Sequence, residues 1–266
     1  MDHYADLLMD KIVNSLYRGL QILRAFSSEQ PKLRLTDIIR KTGLPKSTVI
    51  RLLKTLKSLN YVRYDPNDRR YYLGTEVMSL GVAVLSSLSV RETALPYMEE
   101  LSRASTQNIN LTILDGSEVV FIERIKTRMI LNLDNPIGSR LSSYRTSCGK
   151  AIMAFLTQEK LAEVLEQILK EKGSTDYIGP GGAWLLEDLR RIREKGYALV
   201  DEELIPGLRA ISAPITDHRG HVEAAINIAF LGQMFSEEEL IEKYVPMVVE
   251  TANAISAARG SANYHA

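Results

Sequence analysis

Cys148 is the first residue in this sequence whose type and setting could do chemistry. It is the only cysteine, and it lies in Tyr144-Arg145-Thr146-Ser147-Cys148-Gly149-Lys150-Ala151. A thiol at a helix N-terminus beside a lysine has a reason to ionise early. A nucleophile also needs a base, and the four histidines (His3, His218, His221 and His265) all stand far from it along the chain. The same segment can equally be a capped helix start. Thr146 or Ser147 would then be the cap, Gly149 would permit close approach, and the first N–H groups would suit an anion. Nearby, Arg140 in Gly138-Ser139-Arg140-Leu141 could grip a carboxylate with both arms of its guanidinium.

A second group is basic. Val49, Leu52, Leu53, Leu56 and Leu59 share one helical face, which leaves Lys46, Ser47, Thr48, Ile50, Arg51, Lys54 and Thr55 on the other. A major groove admits one α-helix, and this outer face carries the right chemistry for it. Arg51 suits a bidentate contact to guanine, while Lys46, Lys54 and Lys57 suit phosphates. Ser47 and Thr48 add hydroxyls at the helix start, where a phosphate can be held. Arg69 and Arg70, at the tip of a hairpin, could reach the DNA backbone or a minor groove.

The elements that must position these groups follow from spacing. Ile12, Leu16, Leu20, Leu23 and Phe26 predict a first helix. Leu35 to Ile39 predicts a second, with Thr36 as N-cap and Gly43-Leu44-Pro45 as its stop. After the third helix, Tyr61–Tyr64 and Arg70–Leu73 predict two strands around the turn Asp65-Pro66-Asn67-Asp68. Helix, short helix, tight turn, helix and hairpin is the order of a winged helix-turn-helix. Residues 75–90 predict an apolar linker helix suited to a dimer contact. Beyond Arg91 the pattern is mixed. Helices are predicted at 92–106, 147–157, 158–172 and 184–195, with a last one from Ser236-Glu237-Glu238-Glu239 to about Arg259. Strands are predicted at Asn110–Leu114, Val119–Ile125, Met129–Leu133, Tyr197–Asp201, Ala210–Thr216 and Val222–Phe230. His218 and His221 flank a turn and are read as capping it. The expected class is α+β, with a winged domain over 1–74, a linker over 75–90, and a second domain over 91–259 built on a mostly antiparallel sheet.

Composition agrees with this plan. The 266 residues hold 33 Lys and Arg and 33 Asp and Glu, yet residues 1–74 carry 14 of the former and 7 of the latter. A head of +7 on a body of −7 points to a polyanion partner for the head. Apolar residues at 45% and charged residues at 25% are ordinary for a globular chain of one large or two modest domains. One cysteine excludes an internal disulfide, and with four histidines it makes a structural zinc site unexpected. No apolar run reaches the ~18 residues of a membrane span. Met1-Asp2-His3-Tyr4-Ala5-Asp6 has none of the features of a signal peptide, so the expected location is the cytoplasm. There is no nucleophile elbow, phosphate loop or dinucleotide fingerprint. Gly179-Pro180-Gly181-Gly182 lacks the following Lys-Ser/Thr. No cofactor, metal or catalytic residue is therefore expected.

Residues 12–74 resemble the DNA-binding domain of the IclR family of bacterial transcription regulators. The resemblance rests on Ser15-Leu16-Tyr17-Arg18-Gly19-Leu20-Gln21-Ile22-Leu23, Leu35-Thr36-Asp37-Ile38, Thr42-Gly43-Leu44-Pro45-Lys46-Ser47-Thr48-Val49-Ile50-Arg51-Leu52-Leu53, Leu59-Asn60-Tyr61-Val62 and Tyr72-Leu73-Gly74. Asn60 stands where glycine is more usual, and asparagine also tolerates the left-handed conformation. The likeness extends to about residue 257 through Gly138-Ser139-Arg140-Leu141, Thr146-Ser147-Cys148-Gly149-Lys150-Ala151, Arg193-Glu194-Lys195-Gly196-Tyr197, the run from Asp201 to Pro214, and Ala224-Ala225-Ile226-Asn227-Ile228.

The resemblance implies that the second domain is GAF-like, binds a small effector, often an organic acid, and helps form dimers or tetramers. It implies pocket walls at Leu141, Tyr144, Ile152, Ala210, Asn227 and Ala229. Arg140, Ser147, Cys148, Gly149 and Asp201 complete the candidate effector set. Cysteine is common in the family at the place of Ala210, and serine at the places of Asn227 and Ala229, so the effector cannot be copied from another member. Arg140 with Thr146 and Ser147 resembles the subgroup that responds to aromatic acids. The expected function is a ligand-responsive regulator on a (pseudo)palindromic DNA operator, without membrane contact. The alternative is an enzyme or redox sensor that uses Cys148 and carries a basic accessory domain.

Overall fold

A computed structural model describes residues 12–127, 135–231 and 234–261. The chain divides into two compact units, one up to Ser87 and one from Leu88.

The first unit runs α1 (Asn14–Arg24), β1 (Lys32–Leu33), α2 (Leu35–Thr42), α3 (Lys46–Ser58), β2 (Val62–Asp65), β3 (Arg70–Leu73) and α4 (Thr75–Ser87). The strands form an antiparallel sheet in the order β1-β3-β2. Ile22, Phe26, Leu33, Ile38, Val49, Leu53 and Val62 make its core.

Three local expectations change. Leu16 and Leu20 are 62% and 47% exposed, because α1 reaches this core only through its last turn, at Ile22, Ala25 and Phe26. The cap of α2 is Arg34, not Thr36, and Asp37 Oδ2 accepts the Arg34 N–H at 3.0 Å. Leu59 lies past the end of α3 and is exposed. Asn60 does take the left-handed conformation, with φ of 60°. It lies against Gly74, where a Cβ would stand 1.8 Å from the Asn60 carbonyl oxygen.

The helix expected over 75–90 is α4 alone. Helix resumes in the second unit as α5 (Ser89–Ser105), followed by β4 (Asn108–Asp115), β5 (Glu118–Ile125), β6 (Arg140–Ser142) and a 3-10 turn at Ser143–Arg145. Then come α6 (Ser147–Ala154), α7 (Gln158–Leu169), α8 (Thr175–Ile178), α9 (Ala183–Lys195), β7 (Ala198–Asp201), β8 (Leu208–Thr216) and β9 (Val222–Leu231). The C-terminal helical run is α10 (Glu237–Glu239), a π turn (Leu240–Tyr244) and α11 (Val245–Ala258). The strand expected at Met129–Leu133 lies outside the described residues.

Six antiparallel strands form one sheet in the order β6-β5-β4-β9-β8-β7. Strand alternation gives it two unlike faces. Ile109, Ile228 and Ile211 lie in register on one face, the side left to α5 and α11. Asn110, Asn227 and Ser212 lie in register on the other, where α6 packs. At the β8–β9 turn, Asp217 and not a histidine is the cap. Its Oδ1 accepts the N–H groups of Arg219 at 2.8 Å and His221 at 2.9 Å.

Candidate nucleic-acid interface and effector cavity

Lys46, Ser47, Arg51, Lys54, Arg69 and Arg70 are exposed and Thr48 is half-buried. The buried Val49 and Leu53 anchor the inner side of α3 and turn those residues outward. Lys46, Arg51, Lys54, Arg69 and Arg70 have no ion-pair partner among the described residues. No side chain caps the start of α3, so its first N–H groups are open to an anion. At the hairpin tip, Asp65 Oδ1 accepts the Asn67 N–H at 3.0 Å and Asp68 Oδ1 accepts the Arg70 N–H at 3.1 Å. Lys32 sits 3.5 Å from Asp65 and 3.6 Å from Asp68. The acids of the tip are thus committed to the turn and to Lys32, and Arg69 and Arg70 keep their charge outward.

In the second unit a cavity opens between the polar face of the sheet and the start of α6. Its floor is a row of paired residues. Asn227 of β9 faces Asn110 of β4, and Asn110 faces Arg124 of β5. The next row offers Asn108, Ala229, Ala210 and Val200. Val119, Phe121, Leu141, Leu204 and Leu208 form apolar walls. Thr146, Ser147 and Cys148 bring in the N-terminus of α6.

That terminus is built tightly. Thr146 Oγ1 accepts the Gly149 N–H at 3.2 Å. A Cβ on Gly149 would meet the Ser143 carbonyl oxygen at 2.1 Å, so only glycine lets the 3-10 turn and the helix approach this closely. Ser212 Oγ donates to Ser147 Oγ at 2.7 Å and lies 3.3 Å from Cys148 Sγ.

This geometry does not support the activated-thiol reading. Cys148 is 2% exposed. Burial pushes its thiol above the ordinary range, against the opposing hydrogen bonds of Ser212 and Thr112. Among the described residues no histidine lines the cavity, so none of them pairs a nucleophile there with an imidazole base. The arrangement is one that holds a ligand. It has apolar walls for a body, and amides, a hydroxyl and a helix N-terminus for polar atoms.

Of the expected effector residues, Leu141, Ser147, Cys148, Ala210, Asn227 and Ala229 line the cavity. Tyr144 and Ile152 belong instead to the apolar core around α6, and Gly149 is pressed on Ser143. Arg140 is not among the residues lining the cavity. It is exposed, its Nε donates to Glu118 Oε2 at 2.6 Å, and its Nη2 donates to Asp115 Oδ2 at 2.7 Å. The adjoining β4–β5 hairpin has taken the fork meant for a ligand. Asp201 also does not line the cavity, and its carboxylate accepts both arms of Arg209 at 2.7 and 2.8 Å.

Sequence reading missed Arg145. Its Nε and Nη2 donate to the Glu203 carbonyl at 3.1 and 2.8 Å, and Nη2 also donates to the Leu204 carbonyl at 3.2 Å. Its guanidinium stacks 4.2 Å from the centre of the Tyr177 ring. It also missed Asn108 and Asn110, although Asn-Ile-Asn-Leu-Thr over 108–112 alternates polar and apolar and so signals a polar face.

Comparison with known proteins fits both halves. The family model described as "IclR helix-turn-helix domain" matches residues 15–66, and "Bacterial transcriptional regulator IclR C-terminal" matches residues 82–257. The HTH-type transcriptional regulator XynR of Escherichia coli K12 is 35% identical over 229 residues, 86% of this chain and 90% of that one. The HTH-type transcriptional regulator KdgR of the same organism is 33% identical over 252 residues, 95% of each. The crystal structure of an IclR family transcriptional regulator from Brucella abortus superposes with a TM-score of 0.76 at 27% identity, covering 94% of both chains. A winged helix-turn-helix with an open basic face, a cavity in the second unit and these likenesses along the chain agree: this protein belongs to the IclR family of bacterial transcriptional regulators, ligand-responsive proteins that bind DNA.

Proposed function

We propose that the protein reads a (pseudo)palindromic operator with α3 and its hairpin, and that its effector is a small organic acid held in the cavity of the second unit. The observation that carries this reading is the start of α6 at the cavity wall, with Ser147 and Cys148 lining it. The partial positive charge of a helix N-terminus favours a carboxylate there. Val119, Phe121, Leu141 and Leu208 would enclose an apolar body, and Phe121 suits a ring. Control would come from differential binding. The acid must favour one of two arrangements of paired winged domains, because a ligand indifferent to them shifts nothing.

A two-fold operator asks for at least two copies of the chain. The exposed Leu16, Tyr17 and Leu20 of α1 and Met78, Val82 and Val84 of α4 are apolar surface suited to such pairing. The protein acts by binding rather than catalysis, on DNA in the cytoplasm; among the described residues no helix is long and apolar enough to cross a membrane.

The test is selection of bound sites from a random duplex library, with and without a panel of small aliphatic and aromatic acids. Enrichment of a short two-fold sequence that changes with one acid is the expected result. A bound site whose enrichment ignores every acid, together with no binding of any of them by calorimetry, would overturn the effector reading.

A further inference from the structure

The chain between β7 and β8, residues 202–207, contributes Leu204 to the cavity wall, and Leu208, the first residue of β8, lines it as well. This segment is held by side chains from the other side of the cavity. Arg145 donates to the carbonyls of Glu203 and Leu204 at 2.8 to 3.2 Å. Lys150, on α6, reaches the Glu203 carboxylate at 2.7 Å to each oxygen and Asp188 Oδ2 of α9 at 2.7 Å. Lys150 is 5% exposed, and an ammonium is kept in such a place only when it is paired. At the base of the segment, Arg209 forks onto Asp201, and the Glu202 N–H donates to the Leu208 carbonyl at 2.8 Å. Glu202 itself has φ of 57°, a conformation that a non-glycine residue keeps only where its surroundings impose it.

The contacts are strong, charged and few, and they converge on one residue, Glu203. Its carboxylate and Asp188 are 38% and 40% exposed, so both can pass to water when the segment lifts. We propose that residues 202–207 are a door on the effector cavity, latched by Lys150 through Glu203, with Arg145 as the second hand. Lys150 is a positioning residue in this scheme and has no contact with the ligand. It stands three residues from Ser147 on the same helix, so the helix that meets the ligand at its N-terminus also grips the door one turn later. Ligand entry and exit then run through the opening of this segment, and the strength of the latch sets how long a ligand stays.

Cys148 gives the means of testing this. It is the only thiol, it lines the cavity, and it is shut from solvent, so its alkylation by iodoacetamide at fixed pH reports opening without any effector. Lys150→Met and Glu203→Gln each release the latch while leaving groups that water can satisfy. Each is expected to speed Cys148 labelling at least tenfold over the wild type. The double variant should go no faster than Lys150→Met alone, because that substitution already removes the Lys150–Glu203 pair. Hydrogen exchange should rise at residues 202–207 and stay unchanged in β8 and β9. Arg259→Met, which breaks the Arg259–Glu223 pair at 2.7 Å away from the cavity, is the control for general destabilisation. Labelling of both latch variants within twofold of the wild type, or acceleration by Arg259→Met to the same degree, would overturn the proposal. The door serves the effector reading above, but the two fail separately. Faster labelling in a protein that binds no acid would keep the door and sink the effector, and an acid that binds to an unlatched and unchanged segment would do the reverse.

Discussion

Asn110 and Asn227 face each other across β4 and β9, and the Asn110 Nδ2 donates to the Asn227 Oδ1 at 2.8 Å. That bond fixes which way Asn227 points. With its oxygen taken, its amide N–H₂ is left for the cavity it lines. The buried Asn110 Oδ1 has no partner among the described residues, so the pair already carries one unmet acceptor. Asn227→Ala would strand the Asn110 donor as well. It should cost about 1–3 kcal/mol of stability, read by urea unfolding. A loss below a few tenths of a kcal/mol would mean that the pair does not hold this part of the floor.

Arg51 and Lys54 stand one turn apart on the outer face of α3 and should fail differently. Arg51→Ala should cost about 1–3 kcal/mol on the selected operator and little on random duplex, relaxing one base position. Lys54→Ala should weaken both alike and reduce the salt slope by about 1. Fluorescence anisotropy on both duplexes at several salt concentrations separates them. Equal weakening on both duplexes by Arg51→Ala would remove it as a base reader.

The Cys148 thiol is held above its ordinary range chiefly by burial. A folded pKa above the unfolded value means that the folded chain keeps its proton longer. The associated stability is fully present below the unfolded pKa of about 8.5 and is lost as pH rises through the folded value. As pH rises above about 8.5, wild-type stability should therefore fall more steeply than that of Cys148→Ala. Tyr71 and Tyr144, also raised by burial, contribute to both proteins and drop out of the comparison. Parallel curves in denaturant titrations across this window would show that the thiol does not titrate with unfolding.

Arg140 sits in two exposed ion pairs, with Asp115 and Glu118. Such pairs are worth roughly 0–1 kcal/mol. Arg140→Ala should shift the unfolding midpoint little and leave acid affinity within twofold by calorimetry. A tenfold loss of affinity would support the carboxylate clamp that the side chain of Arg140 suggests in the sequence.

The winged unit was legible because its signals are local. Val49 and Leu53 announce the buried side of α3, and Asp65 and Asp68 announce the hairpin they cap. The face of α1 was not legible, since periodicity shows that a helix has an apolar side and not what meets it. Leu16 and Leu20 fit the pattern as well as Leu23 and Phe26, while Ile22, the buried residue of α1, lies outside it, and only the fold separates them. The cavity divides in the same way. Ser147 and Cys148 could be placed because a helix start can be read from Thr146 and Gly149. Asn110 could not be joined to Asn227, because 117 residues separate two amides that meet only when β4 pairs with β9. The partners of Arg140 were not legible for a related reason. A guanidinium in a sequence shows what it can grip, and the hairpin carrying Asp115 and Glu118 decides what it does grip.

The contact between Gly74 and Asn60 bears on how such proteins can be recombined. The turn after α3 and the residue that closes the hairpin fit so closely that no Cβ can stand between them, and the Gly74 N–H also donates to the Tyr61 carbonyl at 2.8 Å. A hairpin grafted from a relative will seat on this α3 only if the whole of residues 60–74 travels as one block. The recognition helix and its wing are thus spliced at fixed joints, and chimeras cut inside that span would inherit a collision.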